Sequence, residues 1–328
     1  MALSDLAVFS EYTYEAATQV VAQQVALFNE AAQGTFILRA ANHSGDFSEF
    51  AFWKRLQGLV RRRNPYGSGN IPKINFSMLT ENMVKIAAGT PEISLDPGQF
   101  RWINQDPQTR GVEMGQQLGQ DMVRDMFNTG LGALVASHSQ YSSLVIDKTT
   151  VGDGTMDMSY FNAAQALYGD RWRDLQAWVM HSQPMFKLWD NVFKNSERLF
   201  TFENLNIMRD PFGRPFIISD APGLVIPATT GTGAHGVQYY TLGVKPGAVV
   251  VDQNDDFDDN FEKSNGGENI EASYQAEWSY NVGVRAHSWD KTNGGKAPTD
   301  AALLTSTNWD RTAGYNDRDL GCVMLKTN

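Results

Sequence analysis

The chain has 328 residues, 42% of them hydrophobic, which is enough apolar material for one large domain or two medium ones. Its net charge of −10 at pH 7 excludes a protein whose main task is gripping nucleic acid, because that affinity comes from Lys and Arg neutralising phosphates. The single cysteine, Cys322, excludes an intramolecular disulfide and offers only one ligand to any zinc site.

The N-terminus carries Asp5 and Glu11 and has no basic segment before its apolar stretch, which does not fit a secretory signal. The longest apolar run, Gly130 to Ala136, falls far short of the roughly 20 residues a membrane span needs. A soluble product made in a reducing cytoplasm is the expectation, and the sequons at Asn42 and Asn75 are then chance. Tyr14, Val21 and Phe28 recur at every seventh position with Ala17 and Val25 between them, which predicts a helix from Tyr12 to Ala32, stopped by Gly34. Thr35 to Arg39 reads as a strand. Phe50, Trp53, Leu56 and Val60 predict a second helix from Phe47 to Arg63, with Lys54, Arg55, Arg61, Arg62 and Arg63 off its apolar face; Asn64-Pro65-Tyr66-Gly67 ends it. Ser77 to Ala88 is expected to be a short helix, with strand as the alternative, followed by extended chain at Gln99 to Ile103.

Asp106 before Pro107 is a helix start, since the carboxylate can accept from first-turn amides and proline's missing N–H falls where no intrahelical bond is needed. The helical pattern then persists to Gln140, a span of roughly 50 Å at 1.5 Å per residue. Gly111, Gly115 and Gly119 lie four apart on one stripe of it, where a neighbouring backbone can approach closely; stray glycines tolerated by a helix are the alternative reading. Ser159 is expected to cap a helix reaching Tyr168, Ala177 to Met180 to form a buried strand, and Ser182 with Pro184 to open a helix to Lys194. After Leu205 the texture turns to β: a turn at Asp210 to Gly213, then strands at Phe216–Ile218, Leu224–Ile226, Gln238–Leu242, Ala248–Asp252 and across Ile270–Trp289. No internal repeat is present. The order, helix-rich and then strand-rich, predicts an α+β protein of two intertwined subdomains.

Motifs with catalytic potential fail on context. Gly231-Thr232-Gly233-Ala234-His235-Gly236 matches the dinucleotide fingerprint, but the β-branched and aromatic Val237 to Leu242 that follow cannot supply the helix N-terminus a pyrophosphate needs. The acidic run Asp252 to Asn260 resembles a calcium loop, yet Phe257 stands where the turning glycine belongs and Lys263 where the bidentate glutamate belongs. The five histidines form no metal-binding pair. His181 beside Ser182 suggests acyl chemistry only by adjacency, and a hydrogen-bonded histidine at a strand end is the expected reading. Cys322, in Cys322-Val323-Met324-Leu325, is expected to lie in the core. No catalytic residue, cofactor or metal is assigned.

Several stretches carry a resemblance in their order and spacing. They are Arg61-Arg62-Arg63-Asn64, Asp96-Pro97-Gly98-Gln99-Phe100-Arg101-Trp102-Ile103 before the long helix, Val179-Met180-His181-Ser182, Tyr280 to Asp290, Pro298 to Leu303, and Asn308-Trp309-Asp310-Arg311. Over most of its length the chain resembles the major capsid proteins of tailed bacteriophages, built on the Hong Kong 97-type fold. The resemblance implies an α+β fold with a long spine helix in a peripheral domain, an axial domain, and an extended loop whose place in the chain order is open. On that basis residues 1–105 are expected to form an N-terminal arm and extended region, 106–158 the spine helix, 159–252 the axial domain, and 253–328 the returning β segments of the peripheral domain.

The implied function is structural: self-assembly into hexamers and pentamers of an icosahedral shell enclosing double-stranded DNA without sequence-specific binding. Scaffolding, portal and cement or decoration proteins are the implied partners, and no membrane is. The implied location is the virion, after synthesis in the host bacterial cytoplasm. The alternatives left open are another virion structural protein, such as a tail component, and a metal-dependent hydrolase using Asp252 to Asp259. Residues expected at contacts between copies are Arg61, Arg62 and Arg63, set against Asp255, Asp256, Asp258 and Asp259. Gly115 and Gly119 join them as a tight contact of the long helix with a sheet of its own or a neighbouring subunit. The eight tryptophans are available for interfaces.

Overall fold

Leu3–Ala31 forms the first helix, α1, starting well before the Tyr12 expected from its periodicity. It ends where Gln33 and Gly34 take positive φ, and the Gly34 amide donates back to Asn29 O at 3.2 Å. The structure, a computed structural model, describes residues 3–40, 43, 45–53, 60–71, 73–75, 78–95, 106–196, 213–230, 235–264 and 271–328. The long helix α2, Pro107–Ser139, is capped as its sequence predicts: the Asp106 carboxylate accepts the Thr109 amide at 3.2 Å.

Two sheets flank α2. The first contains β1 (Phe36–Ala40), β2 (Phe47–Trp53), β3 (Met78–Gly89) and β4 (Ile93–Leu95) from the N-terminal part of the chain. It is completed by β10 (Val249–Gln253), β11 (Asp258–Ser264) and β12 (Glu271–Val284). Its order is β1-β10-β12-β3-β2, with β11 and β4 on the far half of β12; only β1 and β10 run parallel. The second sheet is ordered β5-β15-β9-β6-β7, with β8 also on β9. Its strands are β5 (Val145–Asp147), β6 (Ala177–Met180), β7 (Phe216–Ile218), β8 (Val225–Ile226), β9 (Gln238–Val244) and β15 (Cys322–Thr327). Two helices accompany it: α3, Met158–Ala166, and α4, Ser182–Ser196. β10, at the end of the block expected to be axial, thus lies in the first sheet, and the C-terminal β15 crosses into the second. α2 joins them: its Met126, Leu131 and Leu134 share one core with Val249 and Val282 of the first sheet and Leu242 and Met324 of the second.

Three expectations are corrected. Phe47 to Arg63 is not a helix: residues 47–53 are β2, paired antiparallel with β3 from Phe47↔Val84 to Trp53↔Met78, and 60–63 are exposed chain without regular structure. The aromatic residues that suggested a helical face are equally good strand formers, and pairing with β3 decides between the two. The segment near Ser77 to Ala88 is strand β3, the alternative reading, not a helix. The cap of α3 is Asp157, whose carboxylate accepts the Ser159 amide at 2.8 Å, rather than Ser159, and the helix stops at Ala166. The strands at 216–218, 238–242, 248–252 and 271–289 match expectation within a residue or two. The Gln99–Ile103 segment and most of the Asp210–Gly213 turn lie outside the described residues.

Candidate assembly surfaces

Val60 and Tyr66 are 92% and 97% exposed, and Ile71 and Ile74 are exposed with them. These residues sit on the stretch that joins the ends of β2 and β3, together with Arg61, Arg62, Arg63 and Lys73 and with no acid between positions 60 and 75. Apolar side chains clustered on a solvated surface mark a place where another molecule can bind. The β2–β3 ribbon that carries the stretch is held in the sheet by the half of β3 that pairs with β12, from Val84 to Gly89, and Asn82 of its outer half bonds Ser288 Oγ at 3.0–3.1 Å. Its outer half, Met78 to Met83, is paired with β2 alone.

The acidic run is not a uniform patch. Asp252 is buried and takes a two-point ion pair from Arg39, with Nη2 at 3.0 Å. Asp256 accepts from the Ser279 amide at 2.9 Å and its hydroxyl, and lies 3.1 Å from Lys85 Nζ. Burial opposes ionisation of Asp256, but Ser279 and Lys85 outweigh it and hold its carboxyl below the usual range. Asp259 accepts from Ser10 Oγ of α1 at 2.6 Å. Asp255 and Asp258 are exposed. Of the acids expected to meet a neighbouring copy, Asp256 and Asp259 therefore have partners in their own chain, while Asp255 and Asp258 are free to reach outward.

The glycine stripe is occupied by α1, a helix of the same chain, and not by a sheet. A Cβ at Gly111 would lie 2.7 Å from Phe9 O, and one at Gly119 2.8 Å from Ala17 O; at Gly115 it would overlap Thr13 O. Fixed carbonyls cannot move aside as a flexible side chain can, so the stripe sets how closely the two helices cross. Trp178, Trp278, Trp289 and Trp309 are buried in the chain's own core, which removes these four from the tryptophans available for interfaces.

The residues with catalytic potential have structural duties. Asp220 accepts the Ser182 amide at 3.1 Å and its hydroxyl, and so caps α4 from across a loop. His181 Nδ1 lies 3.5 Å from the same carboxylate, so the serine hydroxyl faces the acid instead of the imidazole base that acyl transfer requires. Cys322 is fully buried in β15, where burial raises its thiol pKa, as expected of a core cysteine. His138 Nδ1 donates to Leu134 O at 3.0 Å, which leaves Nε2 to accept the Gly321 and Cys322 amides at 3.1 and 3.3 Å. His138 is thereby the hydrogen-bonded tie between α2 and β15. The His287 ring lies against it, tilted by 54° with ring centres 4.8 Å apart, and burial pulls its pKa down to about 4. Lys245 is buried over the Tyr168 ring at 4.3 Å, and burial lowers its pKa to about 8. In the dinucleotide-like motif only His235 and Gly236 lie within the described residues, and the strand β9 follows them, as the sequence implied.

Two stretches that carried the family resemblance form a clasp. Trp289 in β13 (His287–Trp289) pairs with Trp309 in β14 (Trp309–Arg311), their rings 4.9 Å apart and edge-on. The indole of Trp309 donates to Leu303 O of the short helix α5, Asp300–Leu303, at 3.0 Å.

A family model described as Gp13-like, major capsid protein 13-like, matches residues 5–324. Solved phage capsids share the architecture. The capsid of Ralstonia phage GP4 aligns with a TM-score of 0.52 at 10% identity, over 91% of this chain and 90% of that one. The head structure of Helicobacter pylori bacteriophage KHP40 gives 0.53 at 11%, over 90% and 88%, and the capsid of cyanophage Pam1 gives 0.51 at 13%, over 89% and 88%. No curated protein matches the sequence. At these identities the likeness concerns the fold: a Hong Kong 97-like arrangement of helices and sheets.

Proposed function

Because this chain belongs to the major capsid protein 13-like family, a family of structural rather than catalytic proteins, we propose that its copies assemble into the hexamers and pentamers of an icosahedral shell enclosing double-stranded DNA. Heterologous contacts, in which one surface meets a different surface of the next copy, close into such rings. The observation that supports the reading, beyond the family match, is the exposed arm: Val60, Tyr66, Ile71 and Ile74 lie in water in the lone chain, as a surface that meets another molecule would. We assign the extended loop to the β2–β3 ribbon with residues 60–71 and 73–75, the peripheral domain to the first sheet with α1 and α2, and the axial domain to the second sheet with α3 and α4. Scaffolding, portal and decoration proteins are the further partners of such a shell, and synthesis in the host cytoplasm precedes incorporation into the virion.

Light scattering and negative-stain imaging of the protein expressed with its scaffold test the proposal. Closed shells are the expected result. A strictly monomeric or dimeric species under all assembly conditions would overturn it, and tubes alone would reassign the protein to another virion structure.

A further inference from the structure

Two buried histidines meet where both sheets join α2. His138, in the last turn of that helix, is fully buried, and so is His287, the first residue of β13. β13 continues from the end of β12 in the first sheet, whereas the amides that His138 receives open β15 in the second. The pair therefore sits at the joint between the two sheets.

The hydrogen bonds fix the role of each ring nitrogen. Ser137 Oγ gives its proton to Leu134 O at 2.9 Å, so it accepts from His138 Nδ1, also 2.9 Å away. Nδ1 thus carries the ring hydrogen, and Nε2 is the bare acceptor for the Gly321 and Cys322 amides. A second proton on Nε2 would set an N–H against two N–H donors. Charging this ring therefore requires β15 to leave it. His287 Nδ1 lies 3.0 Å from Arg285 O, which leaves its Nε2 to accept from the Tyr141 hydroxyl at 3.2 Å.

The surrounding charges oppose an imidazolium. Burial, then His287 and Lys245, hold His138 well below the usual histidine range, and Arg311 adds to the effect of burial on His287. Lys245 follows β9, Arg285 follows β12, and Arg311 of β14 lies over the Tyr141 ring at 5.5 Å. Glu81 of β3 lines a cavity of about 310 Å³ with Arg285 and His287, and burial pushes its pKa up to about 7. It is neutral before either imidazole charges. Asp174 and Asp319 are paired with Arg171, Asp317 with Arg311, and Asp310 is exposed. Tyr141, Tyr168, Tyr315 and Cys322 surround the cluster and are uncharged in acid.

We infer that the His138–His287 pair is an acid-released joint: neutral, it fastens the end of α2, the start of β15 and the clasp strand β13 together, and protonated, it lets them part while each sheet stays intact. The strands β9, β10, β12 and β15 contain no histidine, so the main ladders hold no group of this kind. The joint belongs to the single chain and does not depend on assembly.

Cys322 reports the joint directly, because its amide is one of the two that His138 holds and it is the chain's single cysteine. Unassembled protein is treated with dithiodipyridine, which labels thiols in acid as well as at neutrality, and each rate is divided by that of a free-thiol control. At about pH 4.5, roughly two units below the ordinary histidine value of 6.5, each ring that charges on opening favours the open form by about a hundredfold. Labelling should therefore rise at least about tenfold between about pH 7 and about pH 4.5, with unchanged far-UV circular dichroism. His138→Gln offers an amide oxygen near the place of Nε2 and does not titrate, so it should lose most of that rise, and His287→Gln should lose part of it. An unchanged wild-type rate overturns the inference even if neither variant folds. So does a rise accompanied by loss of the circular dichroism signal, which is general unfolding, or the full rise in folded His138→Gln.

Discussion

A methyl group at Gly115 would overlap the carbonyl of Thr13, and at Gly111 and Gly119 it would press on the carbonyls of Phe9 and Ala17. Gly115→Ala is therefore expected to destabilise the unassembled protein by about 1–3 kcal/mol, as overpacking of a tight contact does, and Gly115→Leu by more. Urea denaturation of the soluble chain measures this, and wild-type midpoints would remove the close helix crossing from the account. A second prediction at this scale concerns acid. His287 is neutral when buried, with a pKa of about 4 against 6.5 in an unfolded chain, and burial beside His287 holds His138 low as well. The unfolded state binds more protons between those values, so this stability is complete above about pH 6.5 and is lost as pH falls towards 4. The shift of His287 corresponds to roughly 3 kcal/mol. The urea midpoint should fall between pH 7 and pH 4.5, and His287→Gln should shrink that fall.

Elements are held by contacts their own sequences do not announce. The outer edge of β1 is closed by a side chain: Asn29 of α1 accepts the Leu38 amide at 3.0 Å and donates to its carbonyl at 2.7 Å, as a neighbouring strand would. An open edge is a template for unwanted pairing, so this plug both steadies α1 and protects the sheet. Asn29→Ala should cost about 1–3 kcal/mol by leaving two backbone groups unpaired, and should raise thioflavin-positive aggregation of the unassembled protein. Unchanged thermal stability would show that water satisfies those groups. The start of α2 was legible because capping is local: Asp106 with Pro107 determines where that helix begins whatever packs on it. The β2–β3 ribbon was not, since Phe47, Phe50 and Trp53 fit one helical face as well as a strand, and only register with β3 distinguishes them.

For the whole molecule, repetition turns weak pairs into a large effect. An exposed ion pair is worth only about 0–1 kcal/mol, yet the same pair recurs at every contact of a ring. Replacing Arg61, Arg62 and Arg63 together with glutamine should impair assembly of empty shells and make the residual assembly less sensitive to salt, since fewer screened charges take part. Sedimentation of assembly mixtures from about 50 mM to 500 mM salt reads both effects. An unchanged salt response would mean that the arginines do not face another protein.

By itself the sequence determined the family, the α+β class, the capped long helix, most strands of the C-terminal half and the core position of Cys322. Each of these depends on residue chemistry repeated over a few neighbours, or on patterns kept in order along the chain. The tertiary structure alone decided that the glycine stripe receives α1, that four tryptophans fill the chain's own core, and which aspartates face outward. Those outcomes join residues far apart in sequence, such as Thr13 with Gly115, Ser10 with Asp259 and Arg39 with Asp252. A carboxylate is available to a neighbouring subunit only if no cation of its own fold has reached it first, and that competition is settled in three dimensions.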